Sequence, residues 1–408
     1  MLLKTPTSPK RIGARRDFDL YHYYAAFAQS FIEQQILELD LPSGSTILDP
    51  WCGSGTTLAA ARRFGHQSFG FDINPVSVVL SKSRFATTDD ADDVLGVIEE
   101  AVDRLSRMGQ ADKRPDVLLW TLRDIIFGCG GDCAWEADRY RSMPPRTALL
   151  LTGLFFFARR STKVSRSKNP SWRKRQDLAR LSMRELRDTL EKLTHALAIF
   201  KKSNALDSLD PSPQVELLNN ESEGISSQPF ADALITSPPY LTRLDYGVST
   251  GLEWRLLKGD RAADLTGWRA SFTGSVLTSR TPTSVYPLPR AVGDVLAAIQ
   301  RHQSKAAGTY YFQFFRNYFV GIQNAIGNIT QACKSGAAGL FVVQDSQFKE
   351  INIPLTGLFE EMLKARGWTI IKTEAFSILP TFYKVNSRRW SAEDFVRSEN
   401  LIWAKRAI

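Results

Sequence analysis

The chain has 408 residues, of which 43% are hydrophobic and 23% charged, and its formal net charge is +9. This composition is ordinary for globular proteins and excludes fibrous and low-complexity classes. No apolar run approaches the roughly 20 residues that a membrane helix needs, and the amino terminus lacks an apolar signal core. Four cysteines in a chain of this length do not form a disulfide framework. We therefore expect a soluble, cytoplasmic protein with no membrane partner.

The first third of the chain alternates between strand and helix patterns. Short apolar runs predict strands at 45–48 and 68–71, with a helix at 58–64 between them. An acidic, periodic surface helix follows at 89–105, and residues 116–200 have a mostly helical pattern. Residues 203–213 form a polar linker. The pattern predicts a helical insertion after the second strand.

The strand pattern resumes near residue 215 and continues to the carboxyl terminus. Strands are predicted at 231–235, 339–344, 368–375 and 401–404, with helices at 310–333 and 355–365. Residues 242–309 are weakly periodic and rich in Gly, Ser, Thr and Arg. Alternating strands and helices predict a doubly wound, mostly parallel α/β sheet of the Rossmann-like type. We divide the chain into a core part at 1–85, a partly basic helical insertion at 86–213, and the rest of the core at 214–408, with a loop-rich insertion at about 241–309.

A glycine-rich loop joins the first strand to the following helix. It reads Asp49-Pro50-Trp51-Cys52-Gly53-Ser54-Gly55-Thr56-Thr57. Glycines let backbone approach a ligand closely, and the helix amino terminus offers free N–H groups to an anion. Asp72, at the end of the second strand, can accept hydrogen bonds from both ribose hydroxyls. A dinucleotide fingerprint would have a third glycine where this chain has Leu58, which favours S-adenosylmethionine, with its single carboxylate, over a diphosphate.

A second motif, Thr236-Ser237-Pro238-Pro239-Tyr240, follows the strand at 231–235. Two prolines stiffen the chain and remove two backbone donors, so the carbonyls remain acceptors beside the tyrosine ring. Such a set suits a planar base with an exocyclic amine. Alone, Pro-Pro would indicate a plain turn. The glycine-rich loop and Asp72 in the same chain favour the functional interpretation.

Both motifs resemble those of the amino-methylating DNA methyltransferases. Ser-Pro-Pro-Tyr is typical of the N4-cytosine branch of that family, whereas Asp or Asn in the first position is commoner where adenine N6 is the target. The resemblance implies a seven-stranded methyltransferase sheet and S-adenosylmethionine as cofactor. It also implies direct transfer without a covalent intermediate, since none of the four cysteines follows a proline. The catalytic residues it implies are Ser237, Pro238, Pro239 and Tyr240.

The resemblance also implies a set of cofactor-binding residues. An amino-terminal stretch, residues 21–27, is similar to the segment that flanks the cofactor in this family, and Glu221 takes the place of an acidic residue near the adenine. His22 contacts the cofactor or caps a helix. The predicted set is His22, Tyr23, Asp49, Pro50, Cys52, Gly53, Ser54, Gly55, Thr56, Asp72, Ile73, Asn74 and Glu221. Cys129 and Cys133 have no matching second pair, so we predict no metal site.

The excess positive charge is concentrated in one stretch. Residues 158–187 contain eleven Lys and Arg against two acidic residues, and the rest of the chain is balanced. The stretch is either a solvated loop or a binding site for DNA phosphates, and in a DNA enzyme we favour the second. The predicted contacts to double-stranded DNA are Arg159, Arg160, Lys163, Arg166, Arg173, Lys174, Arg175, Arg243 and Arg280.

Three function classes remain open. The chain is a DNA N4-cytosine methyltransferase, a methyltransferase of adenine N6 or of RNA, or a non-catalytic binder that keeps the cofactor loop. The intact motif at residues 237–240 argues against a binder, which needs no acceptors for an amine. Functional pairing with a restriction or defence nuclease is possible for the first two classes. The sequence does not give the recognition site or the oligomeric state.

Overall fold

A computed structural model describes residues 20, 21, 23, 27–115, 117–128, 137–161, 181–204, 213–219, 221, 223–226, 228–241, 245–260, 263–278, 281–377 and 398–407. Within them lies a seven-stranded sheet with the order β3-β2-β1-β4-β5-β9-β8. Its strands are β1 (Thr46–Asp49), β2 (Gln67–Asp72), β3 (Gln214–Leu217), β4 (Ala231–Thr236), β5 (Cys333–Gln344), β8 (Trp368–Ser377) and β9 (Ser398–Arg406). A separate ribbon pairs β6 (Ser346–Phe348) with β7 (Ile351–Ile353).

Only β9 in this sheet runs against its neighbours. It pairs antiparallel with β5 and β8, whereas β1, β2, β3, β4 and β5 pair in parallel. The predicted doubly wound, mostly parallel sheet is therefore confirmed. The strand order reverses between β1 and β4, and such a switch point opens a crevice at the carboxyl ends of the strands.

Helices cover the sheet and fill the long connections between strands. Those before β3 are α1 (Gln29–Leu39), α2 (Thr56–Arg63), α3 (Pro75–Ser83), α4 (Thr88–Arg107), α5 (Leu118–Phe127), α6 (Ala137–Arg141), α7 (Pro145–Ser161) and α8 (Met183–Asn204). Those after β4 are α9 (Tyr246–Ser249), α10 (Gly251–Lys258), α11 (Thr266–Ala270), α12 (Arg290–Arg301), α13 (Phe312–Ala332) and α14 (Leu355–Lys364). Among the described residues, no helix has both the length and the apolarity to cross a membrane.

Local sequence explains where several helices begin. Thr87 and Asp90 form a reciprocal capping box at the start of α4. Asn74 caps α3, whose first residue is Pro75, and its side chain accepts a hydrogen bond from Val76 N. The weak periodicity of residues 242–309 did not predict α12, although Val292, Leu296 and Ile299 bury one face of that helix. The region is therefore more helical than its composition indicated.

Candidate functional site

A cavity opens at the carboxyl ends of β1, β2 and β4. It encloses about 820 Å³ of space, including solvent at its mouth. The lining residues are Tyr23, Phe27, Asp49, Trp51, Cys52, Gly53, Ser54, Thr56, Asp72, Ile73, Asn74, Asn219, Ser237, Pro238, Pro239, Tyr240, Tyr246, Phe272 and Thr273. The fold thus brings the glycine-rich loop and the Ser-Pro-Pro-Tyr motif to one cavity.

The glycine-rich loop is shaped by two residues with left-handed backbone. Gly53 has φ 53° and Gly55 has φ 76°, a region that side chains disfavour. A Cβ on Gly55 would lie 2.2 Å from Ser81 Oγ, and one on Gly53 would lie 3.0 Å from Tyr23 Cε1. Glycine is therefore needed at both places, for conformation and for space. Helix α2 begins directly after Gly55.

The Asp72 carboxylate is fixed at the end of β2. One oxygen accepts from Gly53 N at 2.9 Å, and the other accepts from Asn74 N at 2.8 Å. Burial raises the pKa of Asp72 to about 7, despite these two hydrogen bonds. Each carboxylate oxygen can accept more than one hydrogen bond, so Asp72 can still receive ribose hydroxyls.

Asp49 connects the glycine-rich loop to the Ser-Pro-Pro-Tyr motif. Its Oδ1 accepts from the Thr236 hydroxyl at 2.7 Å and from Trp51 N at 3.3 Å. Burial raises the pKa of Asp49 to about 6. Because Thr236 directly precedes Ser237, this bond fixes the motif against the cofactor loop.

Three further hydrogen bonds hold the Ser-Pro-Pro-Tyr motif in place. The Tyr318 hydroxyl donates to the Pro239 carbonyl at 2.9 Å, and the Ser346 hydroxyl donates to the Leu241 carbonyl at 2.6 Å. The Tyr240 hydroxyl donates to Glu399 Oε1 at 3.1 Å. The anchors come from α13, β6 and β9, so the motif is rigid before any ligand binds. A preorganised polar set is the arrangement that electrostatic catalysis requires.

The amino-terminal segment forms one wall of the cavity. The Tyr23 and Ser77 hydroxyls lie 3.1 Å apart in a hydrogen bond, and Phe27 lines the same cavity. Tyr21 is buried and donates its hydroxyl to Glu253 Oε1 at 3.1 Å. His22 lies outside the described residues.

Arg159, whose side chain is 22% exposed, is held by partners within the protein. Its Nε lies 2.6 Å from Oε1 of the fully buried Glu253, and its Nη2 donates to the Ser249 carbonyl at 2.9 Å. The guanidinium also hydrogen-bonds the Tyr21 hydroxyl and lies 4.6 Å from the centroid of that ring. These contacts argue against the predicted DNA contact, because a guanidinium held by an internal carboxylate is not available to a phosphate.

We expect Arg159→Met to destabilise the fold. The substitution would leave the Glu253 carboxylate buried without its cationic partner. Removing one partner of a buried ion pair lowers the free energy of unfolding by roughly 3–5 kcal/mol. The matched control Arg160→Met, in an exposed side chain of the same helix turn, should change the free energy of unfolding by less than about 1 kcal/mol. Urea unfolding compares the two. Normal stability of Arg159→Met together with weaker DNA binding would restore the original prediction.

Glu221 does not reach the cofactor cavity. It lines a neighbouring cavity of about 350 Å³ together with Asn317 and Tyr318, and it lies against Gly321 of α13. Asn219, two residues closer to β3, lines the cofactor cavity instead. Strand β3 ends at Leu217, so Asn219 lies two residues and Glu221 four residues beyond the strand. The position of Glu221 near the adenine stays a prediction, which this placement does not favour.

Several lining residues were not among the predicted site residues. Trp51 stands within the glycine-rich loop, so its position was accessible to sequence reasoning, and Asn219 lies two residues before the predicted Glu221. Tyr246, Phe272 and Thr273 come from the region after the catalytic motif, and no sequence signal marked the last two. Of the predicted loop residues, Pro50 and Gly55 shape the turn but do not line the cavity.

The remaining predicted DNA contacts are largely outside the described residues. Arg160 is exposed, and its Cζ lies 3.3 Å from the centroid of the Phe156 ring. The positions outside are Lys163, Arg166, Arg173, Lys174, Arg175, Arg243 and Arg280, and the same applies to Cys129 and Cys133.

Residues 10–83 match the family model of N6 and N4 methyltransferases, which is described as DNA methylase. Over 55 residues the chain is 44% identical to the type II methyltransferase M.BsoBI of Geobacillus stearothermophilus. That alignment covers 14% of this chain and 11% of the length of that protein.

Solved structures give a weaker likeness. A TehB-like SAM-dependent methyltransferase from Corynebacterium glutamicum is 9% identical, with a TM-score of 0.30 over 92% of this chain and 88% of that one. The rRNA methyltransferase aviRa from Streptomyces viridochromogenes is 10% identical, with a TM-score of 0.34 over 97% and 94% of the two chains. The [4+2]-cyclase SpnF is 10% identical, with a TM-score of 0.34 over 94% of this chain and 85% of that one. At such TM-scores the fold assignment rests on the strand order alone.

S-adenosylmethionine fits the cavity by its chemistry. The Asp72 carboxylate offers acceptors for ribose hydroxyls, and the N–H groups at the start of α2 suit a carboxylate. Aromatic rings at Tyr23, Phe27 and Trp51 supply flat apolar surface. This chemistry agrees with the match of residues 10–83 to the DNA methylase family model, which supports S-adenosylmethionine as the cofactor.

Proposed function

We propose that the protein is a site-specific DNA methyltransferase that acts on the exocyclic N4 amine of cytosine. One observation carries the proposal: Ser237, Pro238 and Tyr240 line the same cavity as Asp72 and Gly53. A cofactor bound along the glycine-rich loop would therefore meet a target amine held by the Ser-Pro-Pro-Tyr motif. We further propose that the enzyme acts on DNA in the cytoplasm and pairs with a nuclease, as the short similarity to a type II methyltransferase suggests.

The chemistry requires that the amine becomes a better nucleophile. The nitrogen lone pair of cytosine is delocalised into the ring, so the amine attacks poorly in the plane of the base. The Ser237 hydroxyl and the Pro238 carbonyl would accept from its two hydrogens and draw the nitrogen toward sp³ geometry. S-adenosylmethionine supplies the methyl group on a sulfonium. Transfer is direct and in line, because the motif offers acceptors and no thiol nucleophile.

Hydrogen bonds from other parts of the protein fix the acceptors of the motif before the amine binds. Tyr318 donates to the Pro239 carbonyl, and we assign the amine hydrogens to the acceptors of Ser237 and Pro238. Asp49 holds Thr236 from the other side. Acceptors fixed in advance need little rearrangement when the nitrogen changes shape, which lowers the barrier more than it strengthens binding.

The target base has to leave the duplex to reach this cavity. Tyr240 lines the cavity, and we propose that the extruded cytosine stacks on its ring. Tyr246 and Phe272 add aromatic surface to the same cavity. Stacking on such a ring is worth about 1–3 kcal/mol per base, which helps to offset the cost of unstacking.

The basic stretch supplies the proposed contacts to the DNA backbone. Neutralising Arg173, Lys174 and Arg175 together should weaken binding to all DNA sequences alike and flatten its salt dependence, because phosphate contacts release counterions. Filter binding over a range of salt concentrations, with specific and nonspecific duplexes, measures both effects. Normal affinity with lost sequence preference would show instead that the stretch reads bases.

Analysis of the methylated product tests the proposed function. Genomic and plasmid DNA, and separately RNA, are treated with the protein and S-adenosylmethionine, digested, and analysed by mass spectrometry. We expect N4-methylcytosine in DNA. N6-methyladenine or methylated RNA would assign the enzyme to the alternative classes. Absence of product from every substrate, with normal cofactor binding, would indicate a non-catalytic binder.

A further inference from the structure

A chain of hydrogen bonds leads from the catalytic motif into the interior of the protein. Ser237 lines the cavity, and its side chain is hydrogen-bonded to that of Tyr240. The Tyr240 hydroxyl donates in turn to Glu399 Oε1 at 3.1 Å. Glu399 is 2% exposed and Tyr240 is 9% exposed. The chain therefore connects the position of the target amine with a buried carboxylate.

The hydrogen bonds in this chain run in one direction. A carboxylate only accepts, so Tyr240 is the donor to Glu399. The Ser237 hydroxyl carries one hydrogen and two acceptor lone pairs, so it can donate to the phenolic oxygen of Tyr240. Burial still raises the pKa of Tyr240 well above its ordinary value, so Tyr240 is protonated at neutral pH. When Ser237 donates to Tyr240, both hydroxyl hydrogens point inward, and the Ser237 oxygen keeps a lone pair for a ligand in the cavity.

The position of Glu399 follows from the one antiparallel strand of the sheet. Glu399 is the second residue of β9 and pairs with Gln344 at the end of β5 and with Phe376 near the end of β8. Because β9 runs against its neighbours, its first residues lie at the same sheet edge as the carboxyl ends of the parallel strands. A glutamate at this place comes directly behind the catalytic motif.

Methyl transfer to an amine leaves a proton to be removed. The N–CH₃ bond forms as the S–CH₃ bond breaks, and the bonding pair goes to sulfur, which becomes a neutral thioether. The nitrogen is then positively charged until it loses one hydrogen. Acceptors within hydrogen-bond reach of that hydrogen are the natural first recipients.

Resting on the proposed amine methylation, we propose that Ser237, Tyr240 and Glu399 form a relay that carries this proton away from the nitrogen. The amine gives a proton to Ser237 Oγ, Ser237 gives its own proton to the Tyr240 oxygen, and Tyr240 gives its proton to the Glu399 carboxylate. Each hydroxyl ends with one proton, and Glu399 becomes a neutral acid. Tyr240 thereby has a role beyond stacking, and Glu399 acts through it as a positioning and proton-accepting residue.

Tyr240→Phe and Glu399→Gln test the relay. Tyr240→Phe keeps the stacking ring and removes only the hydroxyl, whereas Glu399→Gln keeps an acceptor for Tyr240 but removes the carboxylate charge. Tyr310→Phe is the matched control, since it also removes a hydrogen-bonded tyrosine hydroxyl, in this case one that donates to the Val276 carbonyl at 2.9 Å. The full chain is used, with saturating DNA and S-adenosylmethionine. Single-turnover rate, cofactor affinity and a fluorescent base-flipping probe are measured for each variant.

We expect both variants to lose about tenfold in single-turnover rate, as general acid–base groups typically contribute at least that much, with cofactor affinity and base flipping near wild type. Members of one relay act as a unit, so the double variant should be no slower than the slower single variant. Glu399→Asp, which keeps the carboxylate, should recover part of the rate lost in Glu399→Gln. A purely structural role would not give that pattern.

A wild-type rate in Tyr240→Phe would overturn the relay, and so would losses that multiply in the double variant. If Glu399→Gln does not fold, as judged by thermal melting, Tyr240→Phe decides alone. Failure of the wild-type protein to methylate any amine would remove the proposed function instead, and that outcome is read from the product analysis rather than from these variants. Methylation of adenine N6 would leave the relay testable in the same way.

Discussion

Replacing Ser237 by alanine is expected to lower the single-turnover rate about 10²-fold, by analogy with the loss of one preorganised polar group at other active sites. The hydroxyl would accept from the amine most strongly as the nitrogen becomes sp³, so its loss falls on the transition state more than on binding. The two prolines and the anchors at Thr236 and Pro239 remain in the variant. Affinity for DNA and for cofactor should therefore stay near wild type.

Rapid-quench measurement of one turnover, beside equilibrium binding of both ligands, separates these effects. Ser335→Ala is a suitable control, because Ser335 is exposed on β5 and remote from the motif in sequence. It should behave as wild type. A full single-turnover rate in Ser237→Ala would contradict the proposed mechanism whatever the product proves to be.

Replacing Asp72 is expected to weaken cofactor binding about 10- to 100-fold, since hydrogen bonds to a charged acceptor contribute about 1.5–3 kcal/mol each. Asp72→Asn is the sharper variant. Its amide oxygen can still accept from one of the two backbone groups that Asp72 now holds, Gly53 N and Asn74 N. Asp72→Ala would release both and disturb the loop as well. Calorimetry with S-adenosylmethionine measures the loss, and unchanged affinity in both variants would contradict the assignment of Asp72 to the ribose.

The same residue predicts a pH dependence of cofactor binding. Burial raises the pKa of Asp72 to about 7, so part of the protein carries a neutral carboxyl at neutral pH. Donation from ribose hydroxyls favours the ionised form, which means that binding releases a proton below pH 7. Affinity should therefore rise as pH increases through about 7 and level off above it. Calorimetry in buffers of different ionisation enthalpy measures the number of protons released on binding. Asp72→Asn should abolish the pH dependence of cofactor affinity.

The sequence by itself determined the parts of the site that are contiguous in the chain. The backbone at positions 53 and 55 is left-handed, which favours glycine. The prolines at 238 and 239 fix their own φ. The conformation of each turn therefore depends mainly on the residues within it. The short buried strands β1, β2 and β4 were predicted to within one residue at each end. Their alternation with helices was enough to predict a doubly wound sheet.

Tertiary structure decided which side chains meet across long separations. Arg159 was one of eleven cations in a basic stretch, and only the packing of α7 against α10 shows that it belongs to Glu253, 94 residues further on. Phe272 and Thr273 reach the cavity from a weakly patterned segment. Glu399 meets Tyr240 because β9 inserts between β5 and β8 in the reverse direction. Local propensity and hydrophobic periodicity describe neighbours along the chain, whereas these contacts depend on how the sheet is assembled, and no short sequence pattern encodes that.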